Sequence, residues 1–365
     1  MHVKVTAPTN IAIVKYWGKN PKWEKYMLPT KSSVSFTVEG LFTQTFLDVK
    51  KGGGTVSFDL NGKKISSQMP EYEYVGAMLD KLFELVPRTK SYDYSIVTTN
   101  NFPTAAGFAS SASGFAAFAK ALQGAMKELE PGVYEKYFSD DSKLSVFARL
   151  GSGSAVRSIP HEGGFVIWNR GLDPQNSPDP TRLGAAQLEK LIFSSTAQSL
   201  FGPSHWKELR IIYCKTAQGE KKVKSRAGMK ATVETNPLYW HWVEYEEQEV
   251  LPALIEAVRL KDFGSFGRIC MECSNSLHAM MQYTTPRICY LNDTSNEIID
   301  SVLGMNLDAG KTVAAYTFDA GPNAIVFTLE KHEKQVAQKL GKIVGTENLV
   351  ATRPGPGPQV LKASE

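Results

Sequence analysis

The chain has 365 residues, of which 42% are hydrophobic and 21% charged, and a formal net charge of +4. That length exceeds one ordinary hydrophobic core, so two domains are expected. The modest charge, with no long Lys/Arg block, argues against a nucleic-acid partner and fits a slightly basic enzyme with an anionic substrate. No signal-peptide core opens the chain and no apolar run is long enough to span a bilayer, so a cytoplasmic protein with no membrane partner is expected. Four cysteines in so long a chain do not make a disulfide framework.

Strand-like alternation at 3–6, 34–38, 43–49 and 55–60 fills the first 65 residues, and Asn61-Gly62 reads as a hairpin turn. Within this stretch, Lys15 follows an apolar run. If it points inward it needs an anion, because a buried ammonium without a partner is costly. Lys15, Tyr16 and Lys19 are therefore candidates to hold phosphate oxygens, and solvated lysines at a strand end are the plainer alternative.

An amphipathic helix is expected over 72–85 and a strand over 94–99. Residues 101–114 follow, with two glycines and the hydroxyls of Thr104, Ser110, Ser111 and Ser113, and an Ala-rich helix begins at Phe115. A strand, a small-residue loop and a helix N-terminus bring backbone N–H groups and the positive end of the helix dipole together, which suits phosphate. No lysine follows Gly114, so this is not a Walker A loop, and its positive charge must come from elsewhere. A helix start built for close packing has the same composition.

A helix ending at residue 150 runs into a Gly/Ser turn, where Ser152, Ser154 and Arg157 make an anion cradle: hydroxyls donate and the guanidinium grips with parallel bonds. A turn with a surface arginine is the alternative. A strand at 163–168 precedes a linker candidate at 169–185, rich in Asp, Pro, Asn and Gly. Beyond it come a strand at 209–214, a basic loop at 221–229, helices at 237–258 and 263–278, and a helix over 293–303 capped by Asp293, Thr294 or Ser295. Cys270 and Cys273 form a C-x-x-C without a second pair at zinc spacing and read as structural. Strands at 311–318 and 323–330 flank Asp319, and a last helix covers 333–343. At a strand end before a Gly-Pro turn, Asp319 suits proton abstraction or alignment of a hydroxyl, or simply makes the turn. Strands mixed with helices without strict alternation argue for an α+β protein. Four separated anion-binding segments and one carboxylate apart from them are what a phosphoryl-transfer or phosphate-elimination site needs.

These segments carry a resemblance. The residues 7–19 (A-P-x-N-I-A-x-x-K-Y-W-G-K), 101–114, 150–158, 225–229, 291–295, 318–323 and 355–359 run in the order found in the diphosphomevalonate decarboxylases of the GHMP kinase superfamily. The resemblance covers essentially the whole chain. It implies a GHMP kinase fold, with an N-terminal ATP-binding domain like ribosomal protein S5 domain 2 over 1–185 and a ferredoxin-like C-terminal domain over 186–365. It implies conversion of mevalonate 5-diphosphate to isopentenyl diphosphate, with ATP and Mg2+, by a homodimer. Asp319 would align or deprotonate the 3-hydroxyl, Arg157 hold the carboxylate, and Lys15 stabilise the transferring phosphoryl group. Tyr16, Lys19, Ser152, Ser154 and Arg226 would cradle the diphosphate. Pro103, Gly107, Ala109, Ser110, Ser111 and Ser113 would hold the nucleotide, with Ser110 on the metal.

Two departures stand out. Lys31, in Pro29-Thr-Lys-Ser-Ser33, sits where the family usually has a neutral Asn, as a further phosphate contact or a disturbance of the nucleotide pocket. His161-Glu162 lengthen a turn, as a surface insertion would. They keep a phosphomevalonate decarboxylase and an ATP-independent mevalonate 3,5-bisphosphate decarboxylase open. A small-molecule kinase or a non-catalytic phosphoanion-binding protein are weaker readings, since Asp319, Lys15 and Arg157 are all present.

Overall fold

The computed structural model describes residues 1–102, 110–216 and 222–361. Pro103, Thr104, Gly107 and Ala109, named above, and residue 221 at the start of the basic loop lie outside the described residues. In chain order the strands are β1 (His2–Val14), β2 (Ser33–Lys51), β3 (Val56–Leu60), β4 (Lys63–Ile65), β5 (Tyr92–Asn100), β6 (Phe165–Trp168), β7 (Ala197–Phe201), β8 (Leu209–Cys214), β9 (Ala314–Phe318), β10 (Ala324–Leu329), β11 (Leu349–Thr352) and β12 (Gln359–Leu361). They form two sheets. The first runs β12-β1-β2-β5-β3-β4, with β6 paired to β2 and β7 to β6, and only β3 with β5 is parallel. The second runs β11-β8-β10-β9, antiparallel throughout, the strand order of a ferredoxin-like unit. Asn61 and Gly62 both have positive φ, 54° and 81°, and close the β3–β4 hairpin as the dipeptide predicts.

The helices are α1 (Pro70–Leu85), α2 (Ser110–Leu129), α3 (Pro131–Tyr137), α4 (Asp141–Gly151), α5 (Ala185–Ile192), α6 (Ser225–Thr235), α7 (Tyr239–Tyr245), α8 (Leu251–Leu260), α9 (Phe263–Gln282), α10 (Asp293–Ala309) and α11 (Glu330–Val344). Local chemistry sets several boundaries. Asp140 and Asp262 cap α4 and α9 by accepting backbone N–H bonds. The cap of α10 is Asn292 rather than the three residues after it, and Ser295 completes a capping box with it.

Further expectations change. The basic loop at 221–229 is helical from Ser225, because Met229 and Thr232 bury one face of α6. The helix expected over 237–258 is interrupted by a widened turn at Glu246–Val250, where Pro252 removes an N–H from the ladder. The 169–185 segment is strapped to the chain near its start: Asn20 Nδ2 donates to Ser177 Oγ at 3.1 Å and Trp23 Nε1 to the Pro178 carbonyl at 2.9 Å. β7 lies beyond residue 185 and β12 near the C-terminus, yet both belong to the first sheet. Residues from both halves of the chain therefore build it.

Three layers of core result. Val3, Val5, Leu47 and Ile96 pack against α1, α2 and α4. Ile11, Ile13, Val34 and Phe36, from the far ends of β1 and β2, pack against Ile211 and Phe327 of the second sheet and against α8 and α9. α10 and α11 cover the remaining face of the second sheet through Ile298, Val302, Val336 and Leu340. β1 thus serves one core with its first half and another with its second, on either side of a register shift between Pro8 and Asn10. Lys15 emerges where that strand meets the second sheet.

Candidate active site

Lys15 lies one residue past β1 and is buried. Its ammonium donates to Asp319 Oδ1 at 2.7 Å and to the Ala12 carbonyl at 2.8 Å. Burial without an anion would be costly, and Asp319, 304 residues away, supplies the charge. Asp319 is half exposed, so the pair opens to solvent on the carboxylate side. Its turn is braced from both sides. Ser295 Oγ donates to the Pro322 carbonyl at 2.7 Å, and the Thr216 N–H to Asn323 Oδ1 at 2.8 Å.

Arg157 sits in a short helical turn, Gly153–Ser158, and is buried. Nη1 donates to Ser33 Oγ at 2.7 Å and Nε to Asn10 Oδ1 at 3.3 Å. Burial pushes its guanidinium down to about 10, against the pull of Asp319 and Tyr16. Two of its donors are thereby aimed, on Ser33 and Asn10. Asn10 also donates to the Ser154 carbonyl at 3.0 Å and to Ser158 Oγ at 2.8 Å, tying β1 to this turn.

The Tyr16 ring packs 4.8 Å from that of Trp168, and its hydroxyl is buried with no hydrogen-bond partner among the described residues. Burial pushes the phenol well up. Gly153 lies beneath the ring: a Cβ there would come within 2.6 Å of the tyrosine, so only glycine lets Tyr16 cover the serine turn. Ser152 and Ser154 are 3.2 Å apart through their hydroxyls, and Ser111 Oγ lies 3.4 Å from Ser152 Oγ. Arg226, on the first turn of α6, donates to the Gly151 carbonyl at 2.7 Å with its guanidinium 3.9 Å from the Tyr74 ring centroid. Lys19 reaches Glu24 at 3.3 Å and shares a small cleft with Arg226, and burial lowers its ammonium.

Next to this cradle is a cavity of about 560 Å³. Phe58, Leu60, Val75, Phe115 and Phe118 form apolar walls, and Ser110, Ser111, Lys63 and Lys224 are polar. Ser110 and Ser111 open the 20-residue helix α2. Cavity and cradle adjoin at two points, Ser111 against Ser152 and Tyr74 beneath Arg226. Ser113 points elsewhere: it is buried and bonded to Thr43 Oγ1 of β2 at 2.6 Å. Pro103, Gly107 and Ala109 lie outside the described residues.

Family models match both parts of the chain. One, for the diphosphomevalonate decarboxylase-like N-terminal domain, covers residues 7–178, and one for the mevalonate 5-diphosphate decarboxylase C-terminal domain covers 211–355. The diphosphomevalonate decarboxylase of Candida albicans is 37% identical over 385 aligned positions, which take in 99% of this chain and 98% of that one. The chain belongs to the diphosphomevalonate decarboxylase family. The crystal structure of mevalonate diphosphate decarboxylase from Staphylococcus aureus superposes with a TM-score of 0.83 at 30% identity, covering 99% of this chain and 98% of that one. A relative solved in complex with MVAPP, AMPPCP and magnesium superposes with a TM-score of 0.81 at 30% identity, over 99% of both chains. The α+β class expected from the mix of strands and helices, and the GHMP kinase fold expected from the resemblance, are those of these relatives.

Several residues at the site have no role assignable from the sequence, although Asn10 and Lys224 lie within the stretches 7–19 and 221–229 noted above. Asn10 and Ser33 orient Arg157, Tyr74 supports Arg226, and Lys224 lines the cavity. Lys81, on α1, reaches the Leu150 carbonyl at 3.4 Å, and burial followed by repulsion from Arg226 lowers it to about 8. Lys31 touches neither the cradle nor the cavity lining: it is buried on Glu246 at 2.6 Å, so neither of its two expected roles fits its position. His161 is exposed and paired with Asp141, as a surface insertion would be. Cys270 and Cys273 are buried free thiols, and burial pushes Cys270 up to about 12. Among the described residues no three His, Cys, Asp or Glu side chains gather as a metal centre.

Proposed function

We propose that the chain decarboxylates mevalonate 5-diphosphate with consumption of ATP, releasing isopentenyl diphosphate, ADP, phosphate and carbon dioxide. The observation that carries this reading is the adjoining of three parts: the Lys15–Asp319 pair at 2.7 Å, a cradle of hydroxyls and guanidiniums, and a nucleotide-sized cavity at a helix N-terminus.

The chemistry explains why all three are needed. The tertiary 3-hydroxyl is a poor leaving group, so the γ-phosphoryl group of ATP is transferred to it first. Its carbon–oxygen bond then breaks, and the electron pair leaves with phosphate. The bond to the carboxylate breaks in turn, its electrons form the alkene, and carbon dioxide departs. Asp319 takes or aligns the hydroxyl proton, and afterwards its negative charge faces the cationic carbon. Lys15 holds that carboxylate in place at 2.7 Å and lies where charge develops on the transferring group. Arg157 grips the substrate carboxylate, and Tyr16, Lys19, Ser152, Ser154 and Arg226 hold the diphosphate. The orphaned Tyr16 hydroxyl fits such a ligand, since a buried donor without a partner costs stability unless an acceptor meets it. Ser110 and Ser111, at the N-terminus of α2, hold the nucleotide phosphates together with Lys224. Ser110 would help hold magnesium beside the nucleotide phosphates, where the ion would neutralise their charge. A homodimer is part of this reading on the family resemblance, and a cytoplasmic setting on four free cysteines.

The test measures carbon dioxide and ADP released from mevalonate 5-diphosphate, with and without magnesium ATP. Equal release of both, only with ATP, is expected. ADP without carbon dioxide means a kinase and overturns the reading. Faster turnover of mevalonate 5-phosphate or the 3,5-bisphosphate moves the substrate.

A further inference from the structure

Lys31 is a buried cation that this reaction leaves unused. It and Glu246 are each only 1% exposed, with Nζ donating to Glu246 Oε2 at 2.6 Å. The same ammonium donates to the backbone carbonyl of Lys15 and lies 4.7 Å from the Trp242 ring centroid. The other oxygen of Glu246 accepts from Ser276 Oγ at 3.0 Å. The neighbouring residues repeat the crossing: Glu247 accepts from both the N–H and the hydroxyl of Ser32, each at 2.7 Å. Both glutamates belong to the widened turn between α7 and α8, so one irregular turn clasps the segment leading into β2.

A fully desolvated ion pair is rarely the most stabilising way to fill its volume, because both ions lose their hydration. The bond to Lys15 supplies a role beyond stability. Lys15 is fixed at its head by Ala12 and Asp319, and Lys31 fixes its main chain. We propose that Lys31 is a positioning residue: held by Glu246, it anchors the Lys15 carbonyl and so sets the reach of the Lys15 ammonium to Asp319. This rests on the decarboxylase reading above. It adds a link from the α7–α8 turn to the reacting pair.

The experiment compares Lys31→Met with the double variant Lys31→Met/Glu246→Gln, each checked for folding by circular dichroism at the assay temperature. Methionine keeps the stem and removes the donor. In Lys31→Met, kcat should fall by ~10-fold or more while KM for both substrates stays within about twofold, because a displacement near 1 Å at a reacting group is that costly. Tm should also fall, since Glu246 is left buried without its cation. In the double variant the stranded charge is gone, so Tm should recover while kcat does not. Recovery of kcat along with Tm, or a normal kcat in Lys31→Met, would make the pair purely structural and overturn the proposal. Loss of the fold in both variants overturns it in the same way. Failure of the unaltered chain to release carbon dioxide, measured first, would instead strike the decarboxylase reading.

Discussion

At the residue scale, charge placement decides function. Asp319→Asn keeps the shape of the side chain and removes both its proton affinity and its negative charge. Turnover should fall by ~10²–10⁴-fold with substrate binding largely kept, as read by steady-state kinetics beside a binding titration. Near-normal turnover would remove Asp319 from the chemistry. His278, on α9 behind the same pair, gives a stability prediction. Burial, and then the Lys15 ammonium, push its imidazole down from 6.5 to about 4. The folded chain therefore takes up this proton less readily than the unfolded chain. Between pH 6.5 and 4 the unfolded state binds more protons, so stability falls as pH drops through that window. The gap from 6.5 to about 4 corresponds to roughly 3 kcal/mol when the window is fully crossed. His278→Gln should lose less of its urea midpoint between pH 7 and 4.5 than the unaltered chain does, and an unchanged pH slope would place the titration elsewhere.

At the element scale, β1 and β2 carry the design. Their outer halves pack under α1, α2 and α4, and their inner halves meet β8 and β10. Phe36 lies at that second contact, fully buried, with its ring edge-on to Phe165 at 5.5 Å and to Phe327 at 5.3 Å. One ring thus joins the two sheets. Phe36→Ala should cost about 3–5 kcal/mol, seen as a lower urea midpoint with little change in slope. A loss below about 1 kcal/mol would mean the two sheets close over the cavity without strain.

At the scale of the whole molecule, that shared core has a thermodynamic consequence. The first sheet takes strands from both ends of the chain, and its inner face is also a face of the second sheet's core. Separating the two would expose Ile11, Ile13, Phe36, Ile211 and Phe327 together. Calorimetry should therefore show a single unfolding transition, with calorimetric and van't Hoff enthalpies in agreement. Two resolved transitions would show that each sheet holds its own helices without the other.

Local pattern and chemistry were readable in the sequence. Alternation marked the start of β1, two separate stretches of β2 and most of β5; Asn61-Gly62 marked a turn that both residues enter with positive φ; and the ordered motifs identified the family. Lys15 could be named because a buried charge after an apolar run needs an explanation, Arg157 from its spacing to Ser152 and Ser154 in a Gly/Ser turn, and Asp319 from its place at a strand end before a Gly-Pro turn. β7, β11 and β12 were not readable, because short strands are defined by the neighbour they pair with rather than by their own period. The helical start of α6 depended on the burial of Met229, and the inward turn of Ser113 on Thr43. Lys31 makes the division clearest. In the sequence it is a cation in an unusual place, and only the approach of Glu246, 215 residues later, decides that it is buried. Periodicity acts over a few residues and can be seen in the chain itself, whereas desolvation depends on everything that packs around an atom.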